Sequence, residues 1–124
     1  MDLNYFIERR KSPRLLVDLP LEYRLANAPN TDGGLVVNVS EGGLLIRSVK
    51  DMAIGTLLNI VVLFPKEFQL ANFEVIGQIV RKDLYFGEDW EGFEYGLKFI
   101  QVMDEDHKKL KHILDGRFTL ANLP

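Results

Sequence analysis

Hydrophobic and polar residues alternate strictly from Leu15 to Ala26. Leu15, Val17, Leu19, Leu21, Tyr23 and Leu25 fall on one parity; Leu16, Asp18, Pro20, Glu22, Arg24 and Ala26 fall on the other. A period of two sends the two sets to opposite faces of an extended chain, so the segment predicts a half-buried strand. Pro20 sits on the outward parity, where its missing N–H predicts an edge or a bulge. Residues 27–34, NAPNTDGG, are turn-forming by composition. LVVNVS (35–40) and LLIRSV (44–49) predict two more strands. Between them Ser40-Glu41-Gly42-Gly43 supplies a tight reversal, in which Gly42 and Gly43 are expected to accept positive φ. TLLNIVVLFP (56–65) predicts a strand apolar on both faces and ended by Pro65. FEVIGQIVRKDL (73–84) alternates again, with Gly77 a candidate bulge. FEYGLKFIQV (93–102) places Phe93, Tyr95, Leu97 and Phe99 on one face.

Only the end has a helical pattern. Asp104 is the expected N-cap, with Glu105 and Asp106 favoured at the positive end of the helix dipole. Lys108, Lys109, Lys111 and His112 follow toward the negative end; Leu110, Ile113 and Leu114 form the apolar stripe, and Gly116 is the expected stop. Six short strands followed by one helix predict a mostly β fold: an antiparallel barrel or sandwich with a C-terminal α-helix packed on it or covering an open end.

The 124 residues suit one domain with a core that needs no staples. Cysteine is absent, which excludes disulfides and thiol catalysis and is in keeping with a cytoplasmic location. The opening MDLNYFIERR lacks the basic-then-apolar order of a secretion signal, so the Asn-Val-Ser acceptor pattern at 38–40 is taken as accidental. The longest apolar run, IVVLF at 60–64, is far too short to span a bilayer, and no membrane insertion is expected.

Catalytic chemistry finds little footing. His107 and His112 stand five apart, which at about 100° per residue points them to different faces of a helix. No HExxH, GxSxG or GxxxxGK[ST] pattern occurs. The acidic loop GEDWEGFE (87–94) lacks the ordered ligand spacing of a calcium loop and is expected to be solvated. No enzyme activity, metal or cofactor is therefore expected. The aromatics Tyr85, Phe86 and Trp90 near that loop fit either a cap on the core or a partner-binding surface.

A net charge of −3 argues against a partner as polyanionic as nucleic acid, which would select a basic face. It does not argue against a small anion held by a local cluster. One such cluster exists: ERRKSPR, residues 8–14, gathers Arg9, Arg10, Lys11 and Arg14 against Glu8 alone. Taken by itself it is a solvated arm or an anion site.

Two patterns distinguish these readings. Arg10 and Arg14 fit R-x-x-x-R just before the first strand, and Asn38, Ser40 and Gly43 fit [DN]-x-S-x-x-G at the tip of the next hairpin. In this order they resemble the PilZ domain, a bacterial receptor module for cyclic di-GMP. ERRKSPRLLVDLPLEYRL resembles the opening of that family, IGQIVRKD and YGLKFIQV its late strands, and DEDHKKLKHIL its closing helix. The resemblance runs from about residue 8 to about residue 115, with no departure at a motif position.

The resemblance implies a six-stranded antiparallel split barrel with a C-terminal helix. Residues 1–14 form an N-terminal arm, and residues 15–124 form the barrel and helix of the same domain. It implies a ligand site of Arg9, Arg10, Arg14, Asn38, Ser40 and Gly43, with Lys11 and Gly42 as additional contacts. The chemistry of cyclic di-GMP, two phosphates and two guanines, suits these residue types. An arginine fork binds guanine O6 and N7 or phosphate oxygens, and its plane stacks on a base. An Asn carbonyl accepts from guanine N1–H and N2, and a Ser hydroxyl reaches either edge or phosphate.

The expected function is a cyclic di-GMP receptor in motility, biofilm, polysaccharide or pilus control. It would act on a separate effector chain as a monomer or weak dimer, with a polar arm that is mobile alone and ordered by ligand. Two alternatives remain: a degenerate PilZ-fold adaptor that binds no ligand, and a small barrel for single-stranded nucleic acid, which would need aromatics across a basic face.

Overall fold

The first alternating segment is strand β1, Leu15–Leu25, in a computed structural model that describes residues 15–66 and 69–115. Five strands follow: β2 (Asp32–Val39), β3 (Gly43–Ser48), β4 (Leu57–Lys66), β5 (Gln69–Phe86) and β6 (Glu91–Val102). Helix α1 spans Asp104–Leu114. Every neighbouring pair is antiparallel, and the strands close into a ring in the order β1-β2-β3-β6-β5-β4. Ring closure gives every strand a partner on both sides, although β1 before Leu21 and β5 beyond Ile79 are paired by a strand on one side only.

Alternation decides the core. Leu19, Leu21 and Tyr23 of β1 are buried, as are Leu58, Ile60, Val62 and Phe64 of β4 and Phe73, Val75 and Ile79 of β5. Tyr95 and Leu97 of β6 join them, with Phe93 and Phe99 packed against the cluster. Pro20 is exposed and pairs only with Leu35 of β2; pairing of β1 with β4 begins one residue later, at Leu21. A register shift between Leu16 and Leu19 precedes it. Pro20 thus lies on the stretch of β1 that β4 does not cover, next to an irregularity, the edge-or-bulge setting expected of it. A second shift falls at Ile76/Gly77, the candidate bulge.

Several boundaries differ from expectation: β5 starts at Gln69 rather than Phe73, β6 at Glu91 rather than Phe93, and three more have a clear cause. Pro65 does not end β4, which runs to Lys66 with Pro65 paired to Leu70. Asp32, Gly33 and Gly34 belong to β2 rather than to the turn, because β1 supplies Tyr23, Glu22 and Leu21 as partners. The helix N-cap is Met103, not Asp104: Met103 is extended, and its carbonyl already accepts from the N–H groups of Asp106 and His107 at 2.9 and 3.0 Å. The expected stop, Gly116, lies outside the described residues.

Asp104, Glu105 and Asp106 occupy the first turn, where the helix dipole favours them. Asp106 does more than that. It is buried, and its Oδ1 accepts from the Glu74 backbone N–H of β5 at 2.9 Å. Leu110 and Ile113 complete the docking by entering the core, and the His112 ring lies 5.8 Å from that of Phe64.

Two buried tyrosines fix the segment after β3. The Tyr23 hydroxyl lies 2.5 Å from Ser48 Oγ. The Tyr95 hydroxyl donates to the Lys50 carbonyl at 2.6 Å and accepts from the Met52 N–H at 2.7 Å. Burial pushes both hydroxyls above their ordinary pKa, since the phenolate would lose its hydration; the hydrogen bonds from Ser48 and Met52 oppose this without reversing it.

Candidate ligand-binding site

One irregularity in β2 aims the Asn-x-Ser motif. Val36 pairs with Ile46 of β3, but Asn38 pairs with Leu45, so β2 carries one extra residue at this point. A bulge of this kind shifts the parity of everything beyond it. Val36 and Val39 consequently both face the core, 0% and 1% exposed, and Asn38 and Ser40 fall on the outer face of the ring. Strict alternation from Val36 would have turned Asn38 inward. Asn38 and Ser40 are nevertheless covered, at 9% and 8% exposure.

The reversal after them is tight but needs no left-handed glycine. Ser40 donates its backbone N–H to the Gly43 carbonyl at 2.9 Å, with its hydroxyl 3.4 Å from the same oxygen. Neither Gly42 nor Gly43 has positive φ, so the conformational freedom glycine offers there is not used. Gly43 is required for a different reason: a Cβ there would run into the backbone of Leu97 on β6. The turn is also stitched to β6 through the Gly42 carbonyl, which accepts from the Phe99 N–H at 2.9 Å.

Following the register from these residues defines two rows across the outer face. The first runs Leu16–Asn38–Leu45–Gly96–Arg81, through β1, β2, β3, β6 and β5. The second runs Ser40–Gly43–Lys98–Gln78. The platform thus combines the Asn38 amide near the end of β2, the Ser40 hydroxyl just beyond it, two closely packed glycines and two cations. Arg81 is paired with Asp83 at 3.1 Å, with both side chains about half exposed (54% and 55%), so the pair is weak and its charge remains available. Lys98 is exposed and makes no ion pair among the described residues.

Arg81 and Lys98 were not singled out by the sequence patterns. Their signal was present: Lys98 stands between core residues Leu97 and Phe99, which marks it as outward. Only the strand register brings it opposite Gly43. Arg9, Arg10, Lys11 and Arg14 lie outside the described residues, as does the expected ordering of that arm by ligand. The first described residue, Leu15, pairs with Val39. Arg14 is therefore joined to β1 one residue, about 3.8 Å of Cα spacing, from a position flanked by Asn38 and Ser40.

Among the described residues no metal or membrane-spanning set accompanies this platform. Among the described residues no group of three or more His, Cys, Asp or Glu side chains is placed to hold a metal ion. His107 is exposed, whereas His112 is partly buried against Phe64. No helix among the described residues is long and apolar enough to cross a membrane.

The PilZ domain family model matches residues 8–116, a span that contains both motifs. Among solved structures, the fold is similar to that of the Bacillus subtilis inhibitor of motility MotI/DgrA (TM-score 0.70, 18% identity, 88% of this chain and 51% of that one). It is also similar to the PilZ domain of Escherichia coli YcgR solved with c-di-GMP (TM-score 0.65, 15% identity, 93% of this chain and 99% of that one). A third similar structure is the K. pneumonia MrkH–c-di-GMP complex (TM-score 0.70, 16% identity, 91% of this chain and 54% of that one). The chain spans about half the length of MotI/DgrA and MrkH. No curated protein matches it by sequence.

Proposed function

This chain belongs to the PilZ domain family, and we propose on that premise that it is a receptor for cyclic di-GMP. One observation carries the reading: Leu15, the first residue of β1, pairs with Val39, which stands between Asn38 and Ser40, and the Arg10–Arg14 segment immediately precedes Leu15 in the sequence. Two separate motifs would then act on one ligand. Arg10 and Arg14 grip phosphate or the O6/N7 edge of guanine, with Arg9 and Lys11 adding charge. Asn38 and Ser40 take the opposite guanine edge or a phosphate oxygen, and the open backbone at Gly42, where a Cβ would meet nothing within 4 Å, lets the ligand approach. Lys98 and Arg81 add positive charge on the far side of the platform. YcgR and MrkH, which share the fold, are both solved with c-di-GMP.

Binding changes the surface presented to a separate effector chain, and the protein acts as a cytoplasmic adaptor without catalysis of its own. Residues 1–14 and 15–124 work as arm and barrel of one domain.

Titration calorimetry with cyclic di-GMP, and GMP as control, tests the reading. Micromolar or tighter binding is expected, about 8 kcal/mol. GMP binds far more weakly because it cannot engage both motifs. Equal affinity for the two, or no heat with either, sinks the proposal and leaves the ligand-free adaptor in its place.

A further inference from the structure

Below the ligand platform on the same outer face lies the row Leu35–Arg47–Glu94–Asp83. Beyond that row opens a groove of about 290 Å³. Gly33 and Gly34 contribute backbone and no side chain, Leu35, Val49 and Trp90 supply apolar lining, and Arg47 and Ser48 complete it. We propose that this groove docks a partner protein through an apolar side chain flanked by lysine or arginine. The proposal goes beyond the ligand reading and does not depend on it.

The Trp90 wall is held from behind. A Cβ at residue 92 would stand 2.7 Å from the Trp90 ring and 2.6 Å from the Ser48 carbonyl oxygen, so only glycine there lets the indole lie against the end of β3. On its other side Tyr85 packs at 4.8 Å between ring centroids. The Arg47 guanidinium covers the Tyr85 ring at 4.2 Å, and Arg47 Nε donates to Glu94 at 2.9 Å. This chain of contacts preorganises the groove before anything enters, which lowers the cost of binding. Val49, which also lines the groove, is 70% exposed, apolar surface left open on a wall of the groove.

Charge selects the occupant. Nearby acids of the barrel are neutralised in place: Asp32 by Lys50 at 3.0 Å, Asp51 by Lys82 and Glu94 by Arg47. Glu88, Asp89 and Glu91, which flank Trp90 in sequence, are all exposed and make no ion pair among the described residues. Three carboxylates with no ion-pair partner among the described residues, adjacent in sequence to the Trp90 wall of an apolar slot, favour a cationic segment and repel nucleic acid or an acidic peptide. A groove of this volume takes one or two apolar side chains, not a helix face.

The sequence holds a single tryptophan, so intrinsic emission reports on the groove directly. The test uses the full chain with fluorescein-labelled Lys-Lys-Leu-Phe-Lys-Lys, and with Glu-Glu-Leu-Phe-Glu-Glu and Lys-Lys-Ser-Ser-Lys-Lys as controls. Saturable anisotropy with the first peptide is expected, together with a shift of Trp90 emission and weakening by salt. Each control should bind about tenfold more weakly or worse, since it lacks one of the two complementary features. The triple variant Glu88→Gln, Asp89→Asn, Glu91→Gln should lose about tenfold and most of the salt dependence. Val49→Ser, at an exposed position that does not threaten folding, should weaken the apolar contribution alone. Equal binding of all three peptides overturns the proposal, as does binding unaffected by either variant, or no binding. Self-association that the first peptide disrupts would assign the groove to a second copy of the chain and overturn the partner assignment.

Discussion

Gly43 passes so close to Leu97 that a Cβ on Gly43 would overlap the Leu97 carbonyl oxygen and stand 3.1 Å from its carbonyl carbon. Its neighbour Gly42 has nothing within 4 Å of the same construction and no positive φ. The two adjacent glycines therefore predict opposite outcomes. Gly43→Ala forces β3 away from β6 and is expected to cost about 1–3 kcal/mol, the scale of overpacking a filled site. Gly42→Ala is expected to stay within about 0.5 kcal/mol of the parent. Urea unfolding of both variants decides it: equal losses would mean that strand contact is not what requires glycine at 43.

Asp106 gives a second separation of roles. Its side chain is the acceptor for the buried approach of α1 to β5, through the Glu74 N–H at 2.9 Å. Asp106→Ala leaves that donor without its partner and is expected to cost about 1–3 kcal/mol. Asp106→Asn keeps an acceptor oxygen and should cost less, losing mainly the interaction with the helix dipole. Native-state hydrogen exchange at the Glu74 amide should accelerate in the alanine variant and change little in the asparagine variant. Unchanged exchange in both would show that Leu110 and Ile113 dock the helix without help.

Period-two patterning made most of the barrel legible, because each strand has one face in the core and the two parities carry different residue types. Pro20, Gly77 and the Leu110–Ile113 stripe marked their own positions. What the pattern missed was set by partners distant in sequence. Pro65 stays in β4 because Leu70 is across from it. Asp106 looks like a dipole-favoured surface acid until Glu74 is seen above it. The motif residues Asn38 and Ser40 could be found, but not their direction, which depends on one extra residue relative to β3. Lys98 and Arg81 entered the site only through cross-strand register.

The buried tyrosines set an alkaline limit. Free tyrosine ionises near pH 10. Burial raises both Tyr23 and Tyr95 above that value, so the folded state holds these protons more tightly than the unfolded chain does. Their contribution is fully present below about pH 10 and is lost as pH rises through the raised folded values. Of the four tyrosines, two should therefore titrate late and together with unfolding. Tyrosinate absorbance followed alongside far-ultraviolet circular dichroism checks this. Tyr23→Phe should move the alkaline midpoint upward while costing stability at neutral pH, because Ser48 then loses its hydroxyl partner. Four tyrosines titrating as one group well before unfolding would contradict the assignment.

The proposed binding residues can be ranked by substitution against an internal control. Arg10→Ala and Arg14→Ala should each lower cyclic di-GMP affinity by about 1.5–3 kcal/mol, the scale of a hydrogen bond to a charged group. Lys98→Ala should cost less, about 1 kcal/mol or below, since an exposed ammonium acts through screened charge. It should also flatten the salt dependence of binding, which the Asn38→Ala and Ser40→Ala changes should not. Those two weaken binding through lost polar contacts, with part of the Ser40 effect passing through its bonds to Gly43. Arg24 is the control. It is a β1 cation on the outward parity, but its row runs Arg24–Asn59–Ile76–Gln101, through β4, β5 and the end of β6, and shares no residue with the platform. Net charge changes equally in Arg24→Ala and Lys98→Ala, so a general electrostatic effect would weaken both alike. Calorimetry at two salt concentrations distinguishes them: a loss confined to Lys98→Ala places the ligand on the Gly43–Lys98 row, and equal losses remove Lys98 from the site.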